Sequence, residues 1–286
     1  MTHSDLSIDE MVEMILEPPA LELDVNSLRH ALETLDTDAI RSLFVDLRHL
    51  QTKGMGLCIA DDIVCLIVDR VVEWQEVDSF ELLSFLLNLL DEIPISSYTR
   101  IITRELSRTG GQQAIPLFRR MLDSERKYLQ SEGAWGIVIT QYTEPVQALA
   151  DESELVRYEA VGLLHETETV YALNDQSEKV RHAAATKLEK EDNHLGLIQA
   201  LQDPSSAVRC IGAWYMGRRH VSEAVNPLIA LVQTEDDEET LRAAIWSLGV
   251  LRADAALPAI RELCSHPDLQ IAAAAQEAVA RLGLPT

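Results

Sequence analysis

The stretch DPSSAVRCIGAWYMG at residues 203–217 has the pattern of a short helix with its start signal attached. Asp203 is a typical N-cap residue, and Pro204 would stand at the first helical position, where a missing N–H is tolerated. Apolar or small residues then recur at intervals of three and four, which is the spacing of one buried helical stripe. These are Val208, Ile211, Gly212, Tyr215 and Met216.

The same frame returns as DESELVRYEAVGLL, DQSEKVRHAAATKL and DDEETLRAAIWSLG, and more weakly as HPDLQIAAAAQEAVARLG. Each strong copy has an aspartate six residues before an arginine, and the arginines are separated by 24, 28 and 33 residues. The four pairs are Asp151 and Arg157, Asp175 and Arg181, Asp203 and Arg209, and Asp236 and Arg242. A loose period of this length is typical of a solenoid, in which neighbouring units cover each other's apolar faces.

A short apolar segment precedes each acidic turn, for example LGLIQALQ at 195–202, so that each unit is predicted to be a pair of helices. The frame resembles the HEAT-like repeats of the phycobilin-lyase type over about residues 143–284, with 112–139 as a degenerate relative. The resemblance implies an all-α fold, an α-solenoid forming a right-handed superhelix of HEAT-like antiparallel helix pairs. It also implies that the turn aspartates cap the second helices and that the arginines reach acidic side chains of the adjacent repeat, as a structural ladder.

The first third of the chain fits the repeat less well. Start signals at Ser27, at 36–38, at Asp78 and at 96–97 predict amphipathic helices, and SRTGGQQ around Gly110-Gly111 predicts a joint. We therefore expect an irregular helical N-terminal region at 1–110 and a HEAT-like repeat solenoid at 111–286.

Composition limits the partners. The formal net charge is −23 and the sequence pI is about 4.6. A field of this sign repels nucleic acid and anionic membranes and attracts basic proteins. The most apolar stretch is interrupted by aspartates, which argues against a membrane span, and the start of the chain lacks a basic leader. Four cysteines without a C-x-x-C pair indicate a reducing, cytoplasmic location.

No motif predicts catalysis, a cofactor or a metal. The eight histidines show no metal-ligand spacing, and no nucleophile elbow or phosphate-binding loop is present. The His165-Glu166 pair is similar to the His-Glu pairs of deoxyhypusine hydroxylase, but it occurs once, whereas two irons need several such pairs.

The candidate binding residues lie on the second helices. Counting from the apolar residue before each arginine, the positions two and six further on share one face; in the last strong copy these positions are Ala243 and Ser247. Partly exposed aromatic residues often anchor interfaces. The predicted partner-binding residues are therefore Tyr158, His182 and Trp214, with Arg218 at the end of the third of these helices.

Two functions remain open at this point. The first is a non-catalytic interaction solenoid that binds, and neutralises or scaffolds, a basic protein, for example as a bacterial immunity protein or an adaptor. The second is a subunit of a bilin lyase acting on phycobiliproteins, because IGAWYMGRRHVSEAVNPLIALVQ at 211–233 is similar to a stretch of those enzymes.

Overall fold

The computed structural model describes residues 96–283, and within this range the chain is all-α, with twelve α-helices, short 3₁₀ segments and no strand. The predicted all-α solenoid is confirmed. The chain divides into two compact units, Met1–Thr143 and Glu144–Thr286. Among the described helices, none combines the length and apolarity that crossing a membrane requires.

The described elements of the first unit are α1 Ser96–Gly110, the 3₁₀ segment Gly111–Ala114, α2 Ile115–Leu122 and α3 Lys127–Gln141. The helix α3 packs against both α1 and α2. Gly111 follows α1 with a φ of +49°, which suits the joint predicted there. The domain boundary at residue 110 stays a prediction. The start signals at Ser27, at 36–38 and at Asp78, and most of the region 1–110, lie outside the described residues.

The second unit repeats one motif five times: a short first element, an acidic or polar turn, and a longer second helix. The first elements are the 3₁₀ segment Pro145–Ala150, α5 Glu166–Thr169 with the 3₁₀ segment Val170–Asn174, α7 His194–Ala200, α9 Val225–Thr234 and α11 Leu257–Leu263. The second helices are α4 Glu154–Leu163, α6 Glu178–Lys190, α8 Ser206–Arg218, α10 Glu238–Val250 and α12 Leu269–Leu282.

The core of this unit lies between the two layers. Each second helix packs against its own first element and against the second helix of the next repeat. The apolar residue three positions after the N-cap is buried in α4, α6, α8 and α12: these residues are Val156, Val180, Val208 and Ile271. A single helix pair could not cover this surface alone, so the repeats depend on their neighbours. The handedness of the superhelix stays a prediction.

Three arginines bridge neighbouring repeats in the same way. Arg181 donates from Nε and Nη2 to the two carboxylate oxygens of Asp203 at 2.7 and 3.0 Å, and from Nη1 to the backbone carbonyl of Asp175 in its own turn. The Asp203 carboxylate also accepts from the backbone N–H of Ser205. One carboxylate therefore joins two repeats and fixes the start of a helix. Two further pairs, Arg157 with Asp175 and Arg209 with Glu235, repeat the arrangement, and Asp151 accepts from the backbone N–H of Ser153 in the first turn.

This bonding corrects the expected position of the N-cap. Ser205, rather than Asp203, is the N-cap of α8, and Pro204 precedes the helix. The reason is that the Asp203 carboxylate is held by Arg181 and by the Ser205 N–H, two residues before the first helical turn. Ser153 and Ser177 are the N-caps of α4 and α6 in the same frame.

The fourth turn is shifted by one residue, which corrects the role expected for Asp236. The residue that accepts from Arg209 is Glu235, which lies two residues before the N-cap Asp237. Asp236 between them is exposed. Asp237 itself caps α10 by accepting from the backbone N–H of Thr240 at 2.9 Å.

The same shift removes Arg242 from the ladder. The position four residues after the N-cap, where α8 carries Arg209, is filled in α10 by Leu241, which is buried. Arg242 lies one residue further on, about 100° around the helix, and is only partly buried. It donates to the side-chain oxygen of Gln270 and to the backbone carbonyl of Glu238 instead of to a carboxylate.

Candidate functional site

The exposed side of α4, α6, α8, α10 and α12 forms a surface that we call the second-helix face. It is defined by the positions five and nine residues after each N-cap, because these lie one turn apart and none of them is fully buried. The five-residue positions are Tyr158, His182, Cys210, Arg242 and Ala273, and the nine-residue positions are Gly162, Thr186, Trp214, Trp246 and Glu277.

Two tryptophans meet on this face. Trp214 is 43% exposed, and its ring centroid lies 4.5 Å from that of Trp246 with a tilt of 42° between the planes. The two residues occupy the same position of consecutive second helices, nine residues after Ser205 and Asp237. A tilted aromatic pair at this distance is mutually attractive and forms a rigid apolar surface with little side-chain entropy to lose on binding.

The sequence frame missed Trp246 and named Ala243 and Ser247 in its place. Both are buried, and the Ser247 hydroxyl donates to the backbone carbonyl of Ala213 at 2.7 Å. The error has the same cause as the misplaced Arg242, the one-residue shift of α10. Reading the helix from an Asp237 N-cap would have put Trp246 in register with Trp214.

Tyr158 and His182, two of the predicted binding residues, line one groove of about 1040 Å³ between α4 and α6. The Lys179 ammonium lies 4.8 Å from the centre of the Tyr158 ring, a cation–π contact between neighbouring repeats. His182 is exposed, and Thr186 one turn later donates back to the His182 carbonyl. Trp214 and Arg218 do not belong to the groove lining.

Arg218, the fourth predicted binding residue, is exposed at the end of α8. Its Nη1 lies 3.0 Å from Glu189 Oε1 of the preceding repeat. Arg219 forms a similar pair with Asp192 at 2.9 Å, and Asp192 also accepts from the buried Tyr215 hydroxyl at 2.6 Å. Burial and this hydrogen bond raise the pKa of Tyr215 to about 12. These side chains form a second set of polar links between repeats.

The described part of the face offers little chemistry for catalysis. Cys210 is its thiol, and burial, with Glu239 and Asp237 nearby, raises the pKa of that thiol to about 11, so it is protonated at neutral pH. Among the described residues, no three His, Cys, Asp or Glu side chains come close enough together to hold a metal ion. The backbone N–H of His165 donates to Glu168 at the start of α5.

A family model described as HEAT repeats matches residues 195–280. No curated protein matches the chain. Solved structures similar to it include human deoxyhypusine hydroxylase in complex with glycerol, at 15% identity over 91% of this chain and 96% of that one, with a TM-score of 0.36. A crystal structure of an engineered protein matches at 13% identity over 98% and 89%, with a TM-score of 0.42.

A designed armadillo repeat protein in complex with the peptide (KR)4 matches at 20% identity over 74% of this chain and 98% of that one, with a TM-score of 0.36. TM-scores below 0.5 do not establish a common fold. The class of the protein follows from its own stacked helix pairs and from the family match: it is an α-solenoid. More narrowly, residues 195–280 match HEAT repeats, and the preceding helix pairs of the same unit follow the same two-element frame.

Proposed function

We propose that this chain is a non-catalytic interaction protein that binds a basic protein partner through its second-helix face. The observation that carries the proposal is the Trp214–Trp246 pair, formed by equivalent positions of adjacent repeats, in which Trp214 is exposed and Trp246 is partly buried. Binding energy at protein interfaces concentrates on a few aromatic and arginine anchors, and a preformed tryptophan pair is an anchor of this kind.

The charge of the chain supports a basic partner. The net charge of −23 steers cationic surfaces toward the protein, and exposed carboxylates lie on helices of the second-helix face. Glu238 and Glu239 are exposed in the first turn of α10, and Glu277 stands on α12 at the position equivalent to Trp246. Lysine or arginine side chains of a partner could stack on the tryptophan rings and pair with Glu238 or Glu239, whereas Glu277 is already paired with Arg281 at 2.6 Å. Neutralising a basic toxin in the cytoplasm, as an immunity protein, or adapting two proteins would each use such a surface.

The test is capture of the partner by the wild-type chain and by a Trp214→Ala/Trp246→Ala variant, from cells that produce the protein naturally. We expect a protein with a pI above neutrality that the variant retains at least about thirtyfold less well, because paired anchor residues are worth about 2 kcal/mol or more. The matched control is Tyr171→Ala, which removes an aromatic residue that is 64% exposed in a first element, outside the second-helix face.

The dependence on salt separates the two parts of the proposal. Retention should fall as the ionic strength rises from about 0.05 to 0.5 M, since screening weakens attraction between exposed charges. If no captured protein depends on the tryptophans, the face is not the binding surface. If the protein retained through the tryptophans is acidic and its retention does not change with salt, the prediction of a basic partner is wrong, whereas the role of the tryptophan pair is supported.

A bilin-lyase subunit is the alternative. The stretch 211–233 that resembles those enzymes runs through α8 into α9 and contains the exposed Trp214, on which a planar tetrapyrrole could stack. Adding a bilin to the purified chain should then change the bilin absorbance, and the Trp214→Ala variant should abolish that change. An unchanged spectrum would remove direct bilin binding from consideration.

A further inference from the structure

Three of the five lysines of the chain lie on one helix. The sequence has five, Lys53, Lys127, Lys179, Lys187 and Lys190, and the last three lie on α6 and line the groove beside Tyr158 and His182. In a chain of net charge −23, this groove therefore concentrates a scarce residue type.

Helix energetics explain only part of this placement. Lys187 and Lys190 are in the last turn of α6, where cations are favoured by the helix dipole. Lys179 is in the first turn of the same helix, where a cation is disfavoured, and it is exposed. The equivalent positions of α8, α10 and α12 carry Ala207, Glu239 and Gln270.

The three lysines of α6 also differ in the interactions that their ammonium groups make. Lys187 is paired with Glu191 at 3.0 Å, and its Nζ lies 3.5 Å from the carbonyl of Gly162 across the groove. Lys179 is held over the Tyr158 ring, and Lys190 is exposed at the other end of the helix. Two ammonium groups thus stand toward opposite ends of one groove, with the Tyr158 ring and the His182 imidazole as further lining.

Gly162 opens the groove between these cations. A Cβ atom built on Gly162 meets nothing within 4 Å, although the residue is helical and has no left-handed φ. Other helical glycines of the same unit are required by close packing, since a Cβ on Gly196, Gly212 or Gly217 would come within 3 Å of a neighbour. Neither packing nor backbone geometry therefore requires a glycine at 162, and a larger side chain there would occupy the groove.

We propose that the groove between α4 and α6 binds an acidic segment of the protein partner, separately from the tryptophan pair. Carboxylates of that segment pair with Lys179 and Lys190, and an apolar side chain between them enters the space above Gly162. Of the glutamates that also line the groove, Glu178 accepts from the Ser205 hydroxyl at 2.7 Å. With three lysines and three glutamates the lining has no net charge, whereas the chain as a whole carries −23. This inference rests on the proposal that the second-helix face is the docking surface. It adds an acidic segment of the partner, which would fix the position of the partner along that face.

The lining of the groove favours a peptide over a nucleic acid as its ligand. Three glutamates share the lining with the three lysines, and they would repel the regularly spaced phosphates of a nucleic acid. A peptide can place one or two carboxylates at the ammonium groups and leave uncharged atoms beside the glutamates.

The experiment is an isothermal calorimetric titration of the full chain with an acidic octapeptide. The peptide alternates glutamate and serine around one central leucine, and its ends are acetylated and amidated. The comparison probes replace glutamate by lysine in the same peptide, or use an oligothymidylate of eight nucleotides. We expect the acidic peptide to bind, and Lys179→Gln/Lys190→Gln to weaken it about fivefold, the effect of two exposed ion pairs. Gly162→Leu should reduce binding below detection, whereas Lys127→Gln, outside the groove, should leave it unchanged.

Three results would overturn the proposal. The acidic peptide does not bind, or it binds equally to the wild type and to all variants, or the lysine peptide binds more tightly and the Glu154→Gln variant loses that binding. Oligothymidylate binding that depends on Lys179 and Lys190 would assign the groove to nucleic acid and overturn it as well. Circular dichroism of each variant checks folding. Failure here leaves the tryptophan-dependent capture of a partner untouched, so the two proposals fail separately.

Discussion

Arg181 and Asp203 are joined by two parallel hydrogen bonds, of 2.7 and 3.0 Å, across the boundary between two repeats. Both side chains are largely buried, with exposed fractions of 10% and 4%. The hydrogen bond from Arg181 to Asp203 outweighs the burial of the guanidinium, and the pKa of Arg181 is raised. The guanidinium is therefore charged under all ordinary conditions, and its two parallel hydrogen bonds link the repeats.

Replacing Arg181 by methionine should destabilise the solenoid strongly. The variant leaves the buried Asp203 carboxylate without its charged partner, which costs about 3 kcal/mol of unfolding free energy. Urea unfolding followed by circular dichroism measures the loss. The matched control is Arg242→Met, which removes an arginine bonded only to an amide oxygen and a carbonyl and should cost less than about 1 kcal/mol. Equal losses in the two variants would show that the ladder is not what links the repeats.

The sequence predicted this ladder where the repeat frame is unambiguous. In the first three turns a single aspartate precedes a serine N-cap, and the helical period then places the arginine toward the next turn. The fourth turn reads Glu235-Asp236-Asp237-Glu238-Glu239, so that any of five carboxylates fits the acidic position. Only the three-dimensional structure shows that Glu235 accepts the hydrogen bonds from Arg209 and that Asp237 is the N-cap of α10.

The same ambiguity explains why only part of the second-helix face was predicted from the sequence. Tyr158, His182 and Trp214 lie on this face as expected, because their helices follow the simple frame, and their role in binding stays a prediction. The pairing of Trp214 with Trp246 depends on a one-residue shift that apolar periodicity cannot detect, since Leu241 and Thr240 are both buried. The groove depends on lysine positions relative to a neighbouring helix, and therefore on tertiary packing.

Stability should depend on pH through Glu235. Burial by itself raises the pKa of Glu235, but the hydrogen bonds from Arg209 and from the Asp237 backbone N–H outweigh it, so this pKa lies below its usual value of about 4.5. A carboxyl whose pKa is lowered on folding stabilises the protein above the unfolded pKa, and this stabilisation is lost as the pH falls through the folded pKa.

We therefore expect the unfolding free energy of the wild type to decline from about pH 5 downward, and that of Glu235→Gln to be lower at pH 7 and to decline less. Urea unfolding at a series of pH values between about 3 and 7 measures both curves. Glu239→Gln, which changes an exposed carboxylate of the next helix, is the control and should follow the wild type. Parallel curves for the wild type and Glu235→Gln would contradict the assignment.

Three second helices end with a residue in the left-handed backbone region that is not glycine. Asp192, His220 and Arg252 have φ values of 62°, 54° and 50°. In each case the next residue's N–H returns to the carbonyl five residues earlier, as between Ala253 and Leu248, which is the bonding of a Schellman helix end. The position favours glycine, because a Cβ atom raises the energy of this conformation.

Arg252→Gly should accordingly stabilise the second unit by about 0.5–1 kcal/mol, since the relief of the left-handed strain exceeds the added entropy of the unfolded chain. Arg252 is exposed, so the loss of its side chain removes little packing. Thermal and urea unfolding measure the gain, and Arg252→Ala, which keeps the Cβ atom, should show none. A gain of equal size in both variants would attribute the effect to the arginine charge instead of the backbone.

Two glycines of the second helices should respond in opposite directions to alanine. A Cβ atom on Gly217 would lie 2.5 Å from Ser247 Oγ and 2.8 Å from Ser247 Cα, so Gly217→Ala has to push α8 away from α10. We expect a loss of about 2 kcal/mol, the usual cost of overpacking, with the hydrogen bond from Ser247 to Ala213 weakened as well. Slower amide exchange in Gly217→Ala than in the wild type would contradict this close contact.

Gly162→Ala adds a methyl group to open space at the end of α4 and should stabilise the chain by about 0.5 kcal/mol, because alanine is the better helix former. Urea unfolding of Gly217→Ala and Gly162→Ala, with amide exchange in α8 and α4, shows whether the unfolding free energy falls in the first variant and rises in the second. A destabilised Gly162→Ala would show that the glycine serves the fold. A stabilised variant would mean that the open space beside Lys187 is kept at a cost in stability, as expected of a surface that receives a ligand.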